Sequence, residues 1–272
     1  MPTPGTEVFS DHLSLHAGGG AFITAATLAA YGYEVSQFSV FPASPFAQTV
    51  QDELLRHNVC SSYCTPAAPN ADPQVSVAIA NDGDRSFLTR LAGPAIPEIT
   101  PQTFSGFTHM HIGELKTVED NPSLLAHARS AGLTISLDCS WQDEFDPAVV
   151  DLIAAVDVFL PSVREQESLL AVGVPETCAA LTVVKCGEHG ARACQRSSSD
   201  WVLSDTVPAT VVDATGAGDA FNGGFLSEWL KSASLEQCLA SANLAGRAAI
   251  RAIGGAESLL TTSIAENASG AR

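Results

Sequence analysis

Val212-Asp213-Ala214-Thr215-Gly216-Ala217-Gly218-Asp219-Ala220-Phe221-Asn222-Gly223-Gly224-Phe225 is the most informative stretch of the chain. A β-like run, TVPATVV (206–212), leads into it, and an apolar helical pattern, AFNGGFLSEWL (220–230), follows it. Two glycines around one alanine let the backbone come close to a ligand without a Cβ clash. The free N–H groups of the first helical turn then point at that ligand, an arrangement suited to an anion and to charge developing on a transferring phosphoryl group. A carboxylate at such a helix start, here Asp219, serves either as a first-turn cap or as a base that takes a proton from an attacking hydroxyl. GxxxxGK[ST] occurs nowhere, which excludes a P-loop enzyme. The segment lies too late in the chain for the glycine fingerprint of a dinucleotide-binding fold.

Outward from this turn, the chain alternates short apolar runs with amphipathic segments. The strand-like runs are VSQFSV (35–40), VSVAIA (75–80), FTHMHI (107–112), LTISLDC (133–139), VDVFL (156–160) and LTVVKC (181–186). Helical patterns fall at 46–57, 122–132 and 146–155. That alternation implies βαβ units and a mostly parallel sheet flanked by helices. Two stretches with polar alternation, 6–17 and 75–91, break the rhythm and read as strands of a small sheet outside the main one, in the manner of a lid. The turn signal Asn81-Asp82-Gly83-Asp84 interrupts the second. The polar tail at 266–272 is expected to fray.

The chain has 272 residues, 46% hydrophobic, with 13 Lys+Arg against 30 Asp+Glu and a net charge of −17. Such a surface disfavours nucleic acid and anionic membranes as partners. An anionic substrate therefore needs a local positive site. No stretch approaches the ~20 apolar residues of a membrane span, and the N-terminus lacks the features of a secretory signal. The seven cysteines are scattered and read as reduced thiols, in keeping with a cytoplasmic protein. His109 and His111 would share a strand face, as two metal ligands do, but no third ligand is near in sequence.

DATGAGDAFNGGF (213–225) resembles the C-terminal signature of the ribokinase-like (PfkB) carbohydrate kinases, D-T-x-G-A-G-D-x-F. The resemblance implies an α/β ribokinase-like fold with a small β lid, with residues 1–272 as a single kinase domain. It implies ATP-dependent phosphorylation of a hydroxyl on a sugar-like small molecule, with Mg2+ and in some members K+. Asp219 would be the base, the backbone of Gly216, Ala217 and Gly218 the anion hole, and Asp213 a ligand of the monovalent cation. His16-Ala17-Gly18-Gly19-Gly20-Ala21-Phe22-Ile23 resembles the family's G-G-x-x-x-N pattern beside the sugar, so Gly18 and Gly19 are expected at the substrate. Ile23 stands where the family has a sugar-binding Asn, and it cannot hydrogen-bond a hydroxyl. Glu114, just past a strand end, matches a sugar-contacting Glu.

Further similarities lie on the nucleotide side. Leu160-Pro161-Ser162-Val163-Arg164-Glu165 resembles P-N-x-x-E, which places Glu165 near the Mg2+ waters. Val184-Lys185-Cys186-Gly187-Glu188-His189-Gly190 resembles the turn that lines the nucleotide, giving Lys185, Gly187 and Gly190 as ATP contacts, with Asn243 bordering the adenine. Asp82-Gly83-Asp84-Arg85 resembles the lid hairpin. The family's first strand and its substrate-binding Asp have no counterpart in these residues, and the loop at 41–46 lacks the usual Gly and Asp. Two alternatives therefore accompany the sugar-kinase reading. One is a catalytically weak kinase-like binding protein. The other is a nucleoside kinase of the same fold, with Phe22 and Phe41 as candidate stacking residues. Lid sheets in the family often pair two subunits, so a homodimer through the lid is also expected.

Overall fold

Apolar runs too short to hold themselves together must stack into a sheet and be covered by helices. The computed structural model, which describes residues 4–7, 9, 13–81, 84–91, 93–142, 144–257 and 259, shows this arrangement. In chain order its elements are α1 (Gly20–Ala30), β1 (Val35–Ser36), α2 (Ala47–Arg56), β2 (Val59–Cys60), β3 (Val75–Asn81), β4 (Asp84–Arg90), β5 (His109–Ile112), α3 (Leu115–Asp120), α4 (Ser123–Ser130), β6 (Thr134–Asp138), α5 (Val149–Ala154), β7 (Val158–Leu160), α6 (Val163–Ala171), β8 (Leu181–Lys185), β9 (Ala191–Gln195), β10 (Val202–Ser204), α7 (Ala217–Trp229) and α8 (Leu235–Ala249).

The main sheet has six strands in the order β10-β9-β8-β7-β6-β5. Strands β5 to β8 run parallel, and β9 and β10 continue the sheet antiparallel. Both faces are covered, as parallel sheets require. On one face Ile135, Leu137 and Phe159 pack with Leu115, Val118, Leu125, Val149 and Ile153 from α3, α4 and α5. On the other, Val158, Leu160 and Val183 pack with Phe221, Phe225 and Leu226 of α7 and Leu239 and Ala242 of α8. Burying each such side chain contributes ~1.5–3 kcal/mol, so these two layers, more than three- to five-residue ladders, hold the sheet. Ser162 and Ser234 start α6 and α8, each closed by a capping box with Glu165 and Gln237.

β1 and β2 form a separate parallel pair, and β3 and β4 form an antiparallel hairpin with Val75 opposite Arg90 and Asn81 opposite Asp84. Asp82 and Gly83, read as the turn, lie outside the described residues. The stretch 6–17, expected as a lid strand, carries no strand among its described residues. Leu13 and Leu15 on it are exposed, and among the described residues no strand pairs with it. The run 35–40 contributes only two residues to a strand. The β-like lead 206–212 is irregular: β10 ends at Ser204, and Pro208 offers no ladder donor. The tail at 266–272 lies outside the described residues.

His109 and His111 do share a face of β5, but their partners are hydroxyls. Ser136 Oγ lies 2.8 Å from His109 Nε2 and 2.8 Å from His111 Nδ1, and Thr134 Oγ1 lies 2.8 Å from His109 Nδ1. Burial pushes His109 down to about 3 and His111 to about 4, so both rings are neutral core histidines. Among the described residues no helix is long and apolar enough to cross a membrane.

Candidate active site

The glycine-rich turn does begin a helix. Gly216 is the N-cap of α7 in the left-handed conformation (φ 73°), and Ala217, Gly218 and Asp219 form its first turn. Ile23 explains how this turn is held. Its side chain is buried, and its Cδ1 would lie 2.6 Å from a Cβ at Gly216 and 2.9 Å from one at Gly255. The position expected to hold a sugar-binding Asn is thus filled by a packing residue beneath the turn. Phe22 is also core, its ring edge-on to His57 at 5.6 Å, and is not available to stack on a substrate.

Asp219 sits where α1 and α7 meet. Thr24 of α1 donates its hydroxyl to the Asp219 carbonyl at 3.0 Å. A Cβ on Gly20 would stand 2.5 Å from Asp219 Oδ1 and 3.1 Å from the Gly113 carbonyl oxygen, so the carboxylate fits against bare backbone. Gly18 and Gly19 precede this point and face open space. Desolvation by burial, and then the negative charge of Asp138, push the Asp219 carboxyl up to about 7 against the opposing pull of Lys185.

Below Asp219 lies a charged network absent from the motif reading. Lys185, at the end of β8, donates to Asp138 Oδ1 at 2.7 Å and to Asn222 Oδ1 at 3.4 Å. Asn222 Nδ2 donates to Asp138 Oδ2 at 2.6 Å, and the Cys139 N–H donates to Asp138 Oδ1 at 2.7 Å. Burial alone would lower the Lys185 pKa; the charges of Asp138, Glu165 and Asp219 outweigh it and hold the ammonium above its ordinary value. The side chain also passes Gly218, its Nζ 3.6 Å from where a Cβ would be. Asp138 had one sequence signal: an acid ending an apolar strand at the carboxyl edge of a parallel sheet, where ligands bind. Asn222 had the weaker one of an amide inside an apolar helical run.

Lys185 also borders a cavity of about 640 Å³ between the start of α6 and the turn after β8, lined by Ser162, Arg164, Lys185, Gly187, His189 and Arg192 among others. Three cationic side chains, Arg164, Lys185 and Arg192, border it in a chain of net charge −17, which meets the need for a local positive site. Glu165 uses one carboxylate oxygen, Oε2, to accept from the Ser162 N–H at 2.6 Å, leaving Oε1 toward other partners. Oxygen donors and a nearby ammonium are the chemistry that a hydrated Mg2+ and a phosphate chain need, so these residues fit both groups. Asp213 organises its own loop: Oδ1 accepts from the Thr215 N–H at 2.8 Å and hydroxyl at 2.6 Å, and Oδ2 from the Gly254 N–H at 3.3 Å. Glu114 is the N-cap residue of α3 and accepts from the Thr117 hydroxyl at 2.9 Å. Asn243 donates to the Ser204 and Asp205 carbonyls, tying α8 to the end of β10, and Gly190 packs on that same Ser204 carbonyl. These two residues tether the strand end.

The family model for pfkB family carbohydrate kinases matches residues 5–262. The chain belongs to the pfkB family carbohydrate kinases. It is 26% identical to a fructokinase of Vibrio alginolyticus over 234 residues, covering 77% of this chain and 75% of that protein. It is 24% identical to a cytidine kinase of Thermococcus kodakarensis over 152 residues, covering 51% of this chain and 54% of that one. Its fold matches a ribokinase from Cryptococcus neoformans var. grubii serotype A solved in complex with ADP, with a TM-score of 0.79 at 18% identity over 98% of this chain and 93% of the other. This pfkB family chain therefore has the ribokinase-like architecture, a mostly parallel sheet flanked by helices, expected from its sequence.

Proposed function

We propose that the protein transfers the γ-phosphoryl group of ATP to a hydroxyl of a neutral sugar or sugar-like molecule. The observation that carries the proposal is the Asp219 carboxylate, raised to about 7 and seated in the first turn of α7 beside Lys185. A base with a pKa near the working pH takes up a proton efficiently. The acceptor hydroxyl lies between Asp219 and the γ-phosphorus. Its proton passes to the carboxylate, its oxygen forms the new P–O bond, and the bond to the β–γ bridging oxygen breaks to release ADP. The N–H groups of Gly216, Ala217 and Gly218 stabilise the equatorial oxygens. Lys185, held by Asp138, faces the phosphate chain. Gly187 lets the backbone of the turn after β8 approach the nucleotide. Glu165 would hold Mg2+ through water, and that ion supplies charge neutralisation. Asp213 seats the loop and is the candidate K+ neighbour. Gly18, Gly19 and Glu114 border the acceptor.

The match to a cytidine kinase favours nucleosides as the second acceptor class. ATP consumption measured against ketohexoses, 2-keto-3-deoxy sugar acids, pentoses and nucleosides distinguishes the two. Turnover with a sugar and none with nucleosides supports the proposal, and no turnover with any acceptor sinks it.

Two further results are expected. A protonated carboxyl cannot accept a proton, so with a pKa of about 7 in the free enzyme kcat/KM rises about tenfold per pH unit toward pH 7 and then levels. A flat profile from pH 5 to 8, measured at saturating Mg2+, contradicts this. Gly20→Ala puts a methyl into the Asp219 carboxylate and displaces it, lowering kcat by about 10²-fold. Unaltered steady-state kinetics in that variant would show that the base position does not matter.

A further inference from the structure

A second group of ligating side chains lies away from Asp219, where the lead into α1, the helix α2 and the segment after α8 come together. His16, Glu53 and Glu257 each offer one atom, and these atoms lie within 4.8 Å of one another. His16 Nδ1 is 3.5 Å from Glu257 Oε1, and His57 Nε2 is 3.8 Å from Glu53 Oε2. The His57 side chain is only 2% exposed, yet its Nε2 makes no hydrogen bond. Both ring nitrogens of His16 are likewise buried without a hydrogen-bond partner. Buried ring nitrogens are ordinarily satisfied, so three unsatisfied ones on two imidazoles, facing two carboxylates, ask for a ligand. Burial also holds His57 below the usual imidazole range.

We propose that His16, Glu53 and Glu257 form a binding site for a divalent transition-metal ion of the zinc class, with His57 seated behind Glu53. Imidazole nitrogens paired with carboxylate oxygens suit zinc and its neighbours and disfavour Mg2+. Metal–ligand distances of ~2.0–2.2 Å in a tetrahedral site set ligand atoms roughly 3.4 Å apart, close to the His16–Glu257 separation above. Arg56 now bridges the two carboxylates, donating to both Glu53 and Glu257. Its side chain is 43% exposed and free to swing outward, so the ion replaces the guanidinium as the cation between them. The backbone of Gly254 packs directly on the His16 ring, and its N–H binds Asp213. A bound ion would therefore fasten the segment that seats the Asp213 loop, whatever reaction that loop serves.

The test is direct metal binding to chelator-treated, untagged protein. Co2+ is titrated with the visible d–d bands as readout, and Zn2+ and excess Mg2+ serve as competitors. One equivalent of four-coordinate Co2+, displaced by Zn2+ and not by Mg2+, is expected. His16→Ala and Glu257→Gln each weaken binding by more than about tenfold while circular dichroism confirms the fold. Arg56→Ala frees both carboxylates and tightens binding severalfold, an effect that a purely structural ion-pair cluster does not produce. The proposal is overturned by any of four results: no saturable site, thiolate charge-transfer bands marking a cysteine site, affinity unchanged in both ligand variants, or weaker binding in Arg56→Ala.

Discussion

Asp219→Asn lowers kcat by about 10²–10⁴-fold and leaves ATP binding intact. The amide keeps the shape of the carboxyl and its place in the first turn of α7, but it cannot accept a proton from the acceptor hydroxyl. Misfolding does not explain such a loss, because of the direction of the pKa shift. The folded-state pKa is about 7, above the ordinary 3.8, so the ionised carboxylate is disfavoured in the native site. The folded state binds more protons than the unfolded one between these values, and the cost of ionising Asp219 grows as pH rises through that window. Removing the charge relieves repulsion with Asp138 and leaves the variant at least as stable at neutral pH. Thermal melting alongside a coupled ADP-release assay checks both halves. An active Asp219→Asn enzyme would place the base elsewhere.

The second large effect is on stability. Asp138 and Lys185 face each other with side-chain exposures of 6% and 13%. Breaking such a pair from one side strands the other charge, and Lys185→Met or Asp138→Asn is expected to cost about 3–5 kcal/mol. The double variant Asp138→Asn/Lys185→Met carries neither charge of the pair, and Asn at 138 still meets Asn222. It regains much of the loss, so the two single effects are strongly non-additive in urea denaturation. Simple additivity would mean that the 2.7 Å contact contributes no coupling. Since Lys185 also lies along Gly218, Lys185→Met loses activity too, whereas the stability cycle isolates the pair from its chemical role.

What the sequence revealed follows the distance along the chain between cooperating residues. Gly216, Ala217, Gly218 and Asp219 are contiguous, and their function as a helix start was readable from two glycines, one acid and the apolar run behind them. The alternation that forecast the sheet was equally local. The Asp138–Lys185–Asn222 network joins three elements, and nothing in any one of them names the other two. The resemblance therefore gives Lys185 as an ATP contact, without its partner. Ile23 was legible as a missing amide but not as the support of Gly216, because that contact spans nearly the whole chain. The stretch 6–17 alternates like a strand, yet a strand is a relation between two segments, and its neighbour is not part of the pattern.

The bond from Thr24 to the Asp219 carbonyl joins residues 195 apart in sequence. Closing so long a loop is among the last and entropically dearest steps available to a chain of this length. A ribosome-bound nascent chain can finish β5 to β8, but the carboxylate has no seat until α7 has emerged and docked on α1. Partly made or clipped chains thus carry the pieces of the Asp219 site and none of its geometry, and under the proposed function they would not consume nucleotide idly.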